Sequence, residues 1–413
     1  MKNWILILLV FSTISCSSQK KNKSDWIKDI DILKKELPKR HKNLFFKNDK
    51  SVFEKGLDKI KLQQENLSDF EIAVKLQQLI ASFGDSHTFV KWQKYINNKK
   101  ILPIRLYWFK DGLYITKTTK ENKELLGQKV LEINGNSISK IADSLSTLIT
   151  VDNKAIIKSK IPKLIILPQI LDFFNFSNNA DYEIEIETIN GIKSIHKIEP
   201  YVLNSKKLIN ITIDSIAYCW TNNRISFTEN FIDKDSVYYL QYNQCVNKSK
   251  IAGKGKNHTI TFDKYKKKVF RTIKKKNPKK IIFDMRFNSG GSSYQGTKFV
   301  KQLAGFKEIN QKGKLFVIIG RNTFSSAIIN TMDFVENTNA IIVGEITGGK
   351  PNHYGEIRDF ELPFSKLKVI YSTKYFKRIE KEMNTIKPNI VIETSFVDFI
   401  NGIDPVYEWI IKQ

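Results

Sequence analysis

The sequence predicts an α/β multidomain protein, and three observations carry that reading. Apolar residues recur at helical spacing over residues 26–82. They alternate with polar ones between turn signals over 101–200. From 237 onward they gather into short apolar runs separated by amphipathic helices. The last pattern implies a largely parallel sheet, buried on both faces. The chain has 413 residues, 41% apolar and 12% aromatic, enough for two or three domains and too apolar for a disordered chain. Its 68 Lys and Arg against 42 Asp and Glu give a formal charge of +26. The lysines are scattered with few aromatics among them, which reads as a solvated surface and not as a nucleic-acid interface. Three cysteines exclude a disulfide-rich scaffold and a Cys-based zinc cluster.

At the N-terminus, Lys2 precedes the apolar run WILILLVFSTI at 4–14. That run is shorter than the roughly 20 residues a membrane-spanning helix needs. It leads directly to Ser15 and Cys16. This resembles an export signal (1–15) ending in a bacterial lipoprotein box. The resemblance implies lipidation of Cys16, a polar tether over 16–25, and a body held by lipid at a cell-envelope membrane, facing the periplasm or the cell surface. Such a location permits disulfides. Cys219 and Cys245 are the pair left for one, in strand-like contexts that suit buried thiols equally.

Residues 26–98 read as a helical domain. IKDIDILKKEL places Ile27, Ile30, Ile32 and Leu33 near helical spacing, and SVFEKGLDKIKLQQ places Phe53, Leu57 and Ile60 at steps of four and three. LSDFEIAVKLQQLIASF opens with the capping pattern Ser68-x-x-Glu71, and Gly84 supplies the stop. Over 99–204, IRLYWF, GLYITKT, KVLEING, YEIEIETI and KSIHKI are strand-like, with hairpin signals at Asp111-Gly112 and Asn190-Gly191. Residues 137–176 between them read as helices and loops. GQKVLEINGNSISKI resembles the peptide-binding PDZ module, in which 150–178 would be a long insertion. Over 205–413 strands and helices alternate. FDKYKKKVFRTIKKK puts Phe262, Tyr265, Val269 and Ile273 on one helix face and its lysines on the solvated one.

Three stretches in this last region carry chemistry. IIFDMRFNSGGSS (281–293) runs a strand into Gly290 and Gly291, whose backbone can turn sharply and aim N–H groups into a cleft. KLFVIIGRNTFSSA (314–327) delivers Ser325 and Ser326 to a helix start, where free N–H groups and the helix dipole favour a developing oxyanion. AIIVGEITGGKPNHYGE (340–356) carries Lys350, 25 residues after Ser325, and His353. A desolvated lysine there would serve as a base.

Together these stretches resemble the tail-specific (C-terminal processing) serine protease family, which includes the tricorn core protease. The matching order is strand-D-x-R-x-N-x-G-G, strand-loop-T-F-S-S-A and V-G-E-x-T-G-G-K. The resemblance implies an α/β catalytic core with a crotonase-like sheet over 205–413, Ser325 as nucleophile, and an oxyanion hole from Gly290 or Gly291 and Ser326. It offers two bases. In a Ser–Lys dyad Lys350 is the base, although Tyr354 stands where those enzymes carry Gln. In the tricorn-like arrangement Ser86 and His87 of GDSHTFV supply the base, and Glu382 of E-M-N-T-I-K-P-N-I completes a tetrad. The tetrad is the favoured reading, with His87 as base and Ser86 and Glu382 orienting it. The side chain of Ser326 is expected to be dispensable. Polypeptide substrates follow, with no cofactor, no metal and no nucleic acid. His41, His196, His258 and His353 show no metal-ligand spacing. Two other classes stand beside the peptidase: a peptide-binding lipoprotein that kept the fold without catalysis, and a basic lipoprotein binding anions or glycans. The sequence leaves the oligomeric state open.

Overall fold

A computed structural model describes residues 24–96, 100–177, 181–202, 204–213, 215–253 and 258–413. The export signal, Cys16 and most of the tether lie outside the described residues. Three helices open the fold, Ser24–Arg40, Lys50–Gln63 and Asp69–Ser82. The first buries Trp26, Ile30, Leu33 and Leu37, so Ile27 and Ile32 fall on the margin of the stripe. The third begins with the expected capping box: Ser68 accepts from the Glu71 amide and Glu71 accepts from the Ser68 amide. Gly84, at φ 85°, then reverses the chain, a conformation that costs glycine little.

The middle region forms an antiparallel sheet in the order Leu208–Asn210, Gly112–Thr119, Lys129–Ile133, Tyr182–Glu187, Lys193–Ile198. Ile104–Phe109 joins it as the hairpin partner of Gly112–Thr119. Strand Tyr182–Glu187 shows why alternation was legible: Tyr182, Ile184 and Ile186 are buried, and Glu183 points to solvent. Asn134 and Gly135 both take positive φ, 48° and 69°, in a tight turn of the I′ kind. Helices Ile138–Ser146, Lys154–Leu164 and Pro168–Phe173 fill the span read as helices and loops.

One core runs through both regions, from Trp26 through Phe83 to Ile184 and Ile198. It also takes in Leu362, Leu367, Val369 and Tyr371 from a long hairpin, His353–Glu361 and Lys368–Phe376, that no sequence pattern announced. Strand Phe89–Val90 pairs with this hairpin, so residues just after His87 are tied to residues some 280 positions later.

The C-terminal sheet has the order Phe227–Ile232, Val237–Tyr242, Lys280–Asp284, Leu315–Ile319, Ile341–Gly344, Ile390–Val391, parallel except for its first strand. Successive side chains go to opposite faces. Leu240, Phe283 and Val317 meet helices Phe262–Lys276 and Tyr294–Ala304, while Tyr239, Ile282 and Phe316 meet the terminal helix Pro405–Ile411. Because Asp284 is in register with Ile318 and Ile319 with Gly344, the loops that follow leave the sheet side by side. Asp284 and Arg286 of the D-x-R motif form a buried ion pair whose guanidinium also grips Asp404, at 2.8 Å, ahead of the terminal helix. Cys219 and Cys245 are free, buried thiols.

Asn288 is fully buried at the first of these exits. Its Nδ2 donates to Tyr242 O at 2.8 Å and its Oδ1 accepts the Gly290 amide at 2.9 Å. Asn288→Ala leaves two buried backbone groups without partners and is expected to destabilise this sheet by about 2–3 kcal/mol. Urea unfolding followed by tryptophan fluorescence checks it, and an unchanged midpoint would contradict the accounting.

Candidate active site

Ser325 stands at φ 54°, ψ −125°, immediately before the helix Ser326–Asn337. A non-glycine residue adopts that conformation only when its surroundings impose it. The surroundings are explicit. The Phe324 amide donates to Asn288 O at 3.0 Å, and Thr323 Oγ1 donates to Met285 O at 2.9 Å. Ser326 Oγ donates to Gly291 O at 2.6 Å. These bonds stitch the serine loop to the Asn288–Gly291 loop. Gly290, at φ 103°, lies so close that a Cβ on it would stand 2.7 Å from Ser325 Cβ and 3.1 Å from Ser326 N. Only glycine fits there.

The donors divide. The Gly290 amide is already committed to Asn288. Gly291 turns its carbonyl toward Ser326 and bridges Cys245 through its neighbours, with Cys245 N on Gly290 O and Ser292 N on Cys245 O. Gly291 takes φ 136°, and unlike the Gly290 amide its own amide makes no hydrogen bond among the described residues. The Ser326 side chain, expected to be dispensable, ties the helix start to Gly291 O.

His87 follows the turn after Gly84. Its ring stacks on Phe324, the residue before Ser325, with centroids 4.8 Å apart. On its other side it stacks on His353 at 5.7 Å, and His353 stacks on Phe376 at 5.4 Å. Both ring nitrogens of His87 are buried without a hydrogen-bond partner. Burial, reinforced by His353 and Lys160, lowers its pKa to about 4 against the pull of Asp85. The ring is neutral at physiological pH.

Ser86 is half-buried and lines a cavity beside Phe324. Glu382 is not brought to the imidazole. It is exposed, and its Oε1 accepts from Asn352 Nδ2 at 2.9 Å and Tyr375 OH at 3.0 Å. Lys350 is paired with Asp152 at 2.9 Å. Tyr354 packs its ring against Phe46, with centroids at 4.6 Å.

The carboxylate nearest His87 is Asp85. Its Oδ1 accepts the His87 amide at 2.9 Å and lies 4.0 Å from Nδ1. Its Oδ2 accepts from Thr88 Oγ1 at 2.5 Å and from His41 at 2.9 Å. The Asn43 amide donates to His41 Nδ1, so the His41 proton sits on Nε2 and points at Asp85. Burial alone would raise the Asp85 carboxyl, but these bonds overcome it and bring the pKa to about 2. Asp85, His41 and His353 were all missed as site residues. Asp85 was findable, since an Asp just past a helix stop commonly accepts the amide two residues on. Nothing local connects His41 or His353 to the site. Among the described residues, no group of three His, Cys, Asp or Glu side chains is arranged to hold a metal.

Comparisons with known proteins agree with this geometry at the level of fold. Mature CPAF complexed with lactacystin matches with a TM-score of 0.63 at 12% identity, covering 94% of this chain and 97% of that one. Mature CPAF alone matches at 0.60 and 12%, covering 94% and 96%. The chain has the fold of CPAF. The likeness extends well beyond residues 205–413, which carry the motifs, into the helical and antiparallel regions. It does not single out a PDZ module. The photosystem II D1 C-terminal processing protease matches at a TM-score of 0.39 and 10% identity over 93% of this chain and 98% of that one, too low to carry argument. No family model matches, and no curated protein does.

The His87 ring is expected to titrate near pH 4, and removing the positive charge at Lys160 should move that midpoint upward. NMR of histidine-labelled protein reads both. A midpoint at or above the free-imidazole value of about 6.5 would contradict the burial argument.

Proposed function

We propose that this protein is an exported, lipid-anchored serine peptidase that hydrolyses unstructured polypeptide segments through an acyl-enzyme on Ser325. One observation carries the reading. A serine in a strained turn at a helix start directly follows Phe324, whose ring stacks on a buried imidazole with no hydrogen-bond partner at either ring nitrogen among the described residues. A buried polar group left unpaired is costly, and a substrate-bound serine hydroxyl is what this one lacks.

In the proposed reaction Ser325 Oγ attacks the scissile carbonyl carbon and His87 takes the hydroxyl proton. The oxyanion is received by the amides of Ser326 and Gly291 at the positive end of the helix dipole. The C–N bond breaks as His87 returns the proton to the leaving amine. Water, deprotonated by the same ring, then releases the acyl group. Asp85 is a positioning residue: it holds the His87 backbone and lends a negative charge to the imidazolium that forms, the part first assigned to Glu382. Lys350 is reserved for Asp152. The export signal over 1–15 and Cys16 support the location, and the antiparallel middle sheet is where a PDZ-like module would add a peptide strand.

Ser325→Ala is expected to abolish cleavage of unstructured peptides while peptide binding and folding persist. His87→Ala should cost roughly 10⁴-fold or more in kcat. Lys350→Ala and Glu382→Ala should each cost less than about tenfold, because neither side chain touches the ring or the serine. A serine-reactive phosphonate should label Ser325 alone by peptide mass spectrometry. One observation favours the binding-protein reading, namely that no hydrogen bond joins Ser325 to His87 in the free protein; a folded protein that binds peptides, never cleaves them and resists the phosphonate would establish it.

Anchoring is tested separately. Cys16→Ala is expected to leave the protein unlipidated, and so released from membranes or unprocessed. Unchanged mature mass and membrane retention would overturn that part alone.

A further inference from the structure

A cavity of about 390 Å³ opens beside the serine loop, and the mechanism leaves it unused. Phe324, Phe89, Trp92, Leu148, Ile156 and Leu164 supply its apolar walls, and no aspartate or glutamate among the described residues lines it. Gln77, Thr88 and Thr150 also line it, but they are committed to Leu148 O, Asp85 and Ala81 O. Lys160 is different. Its Nζ stands 5.7 Å from the centre of the Phe324 ring, half-buried, and it pairs with no carboxylate among the described residues. Lys163 lines the same cavity and adds a second positive charge. Burial and Lys163 both depress the Lys160 pKa, as expected of a cation short of an anion.

We propose that this cavity is the side-chain pocket of the peptidase, and that it receives a large apolar residue flanked by a carboxylate, which pairs with Lys160. The inference rests on the peptidase reading and names its substrate class. Phe324 fixes the connection: one residue forms the pocket wall, stacks on the base and precedes the nucleophile. A residue seated against it lies next to the reacting carbonyl. Apolar walls select a large aliphatic or aromatic side chain. The paired lysines repel Lys and Arg, and only a carboxylate satisfies Lys160. That carboxylate has two sources, the peptide's own C-terminus or an adjacent Asp or Glu side chain.

Binding to the Ser325→Ala protein, read by fluorescence anisotropy, separates them. One pair of labelled peptides ends in Leu as the free acid or the amide. A second pair, amidated, carries internal Leu-Glu or Leu-Gln. In one pair the acid is expected to bind about tenfold more tightly or better, the size of a charge-assisted hydrogen bond, and that pair identifies the source. Leu→Ala in the peptide should weaken binding by a similar factor. Lys160→Met should erase the acid preference but keep the Leu-over-Ala preference, and Lys160→Arg should restore it. Each preference is a ratio within one protein, so partial loss of folding does not mimic the result. Equal binding in both pairs, or an acid preference that survives Lys160→Met, overturns the proposal. Catalysis is not needed for the readout. A Lys160-dependent preference in a protein that hydrolyses nothing refutes the peptidase and keeps the pocket; hydrolysis indifferent to Lys160 does the reverse.

Discussion

Four stacked rings, Phe324, His87, His353 and Phe376, hold the site together. Each arrives on a different part of the chain: the serine loop, the turn after the third helix, and the two strands of the late hairpin. Every ring contact is individually weak, worth about 1 kcal/mol beyond the area it buries. Their joint effect is positional. The planes deviate by only 19–27° between neighbours, so the imidazole lies near-parallel to the rings on which it packs. Pairing of Phe89–Val90 with the hairpin fixes the same geometry from the backbone side. His87 and the residue before Ser325 thus share one ring contact although they come from distant parts of the chain.

The strain at Ser325 has a separate origin. A parallel register places three strand ends side by side, and the bonds from Phe324 N and Ser326 Oγ then join two of the loops that follow. Ser325 is forced to positive φ because both of its neighbours are already committed. The strain is offset by the helix that starts immediately afterwards and by the close packing of Gly290. The D-x-R segment closes this end of the sheet by gripping Asp404, so the terminal helix and the loop that carries Arg286 share one buried ion network.

What the sequence revealed follows from how local each signal was. The parallel strands, the amphipathic helices, the Ser68 capping box and the Asn190-Gly191 hairpin are encoded over a few residues, and each formed where its pattern lay. Ser325 and Gly291 were legible because backbone geometry at a strand exit demands particular residue types. Glu382 was placed by motif, and the motif could not show that Asn352 and Tyr375 would take its carboxylate. The hairpin itself was hidden because its strand His353–Glu361 is mostly exposed and polar, so alternation is weak. His41 reaches Asp85 across 44 positions with no periodic relation between them. Such pairs are created by packing, and no window of sequence contains them.

The electrostatics of His87 connect these parts. His87 is kept neutral by burial and by two positive or potentially positive neighbours, His353 and Lys160, against one carboxylate. Neutrality makes the ring available to accept a proton, but the same environment makes it a weak acceptor. In the free protein the balance favours availability. A substrate carboxylate seated beside Lys160 would cancel one of the two repulsions while Asp85 stays in place. The imidazolium would then be less disfavoured when the serine proton arrives. The proposed pocket would thereby couple recognition to base strength through the Phe324 ring, with no movement of the backbone. A substrate lacking the carboxylate would fill the apolar walls and leave the base as weak as in the empty site. Discrimination would then fall on the proton-transfer step as well as on binding, as differential stabilisation of a transition state requires.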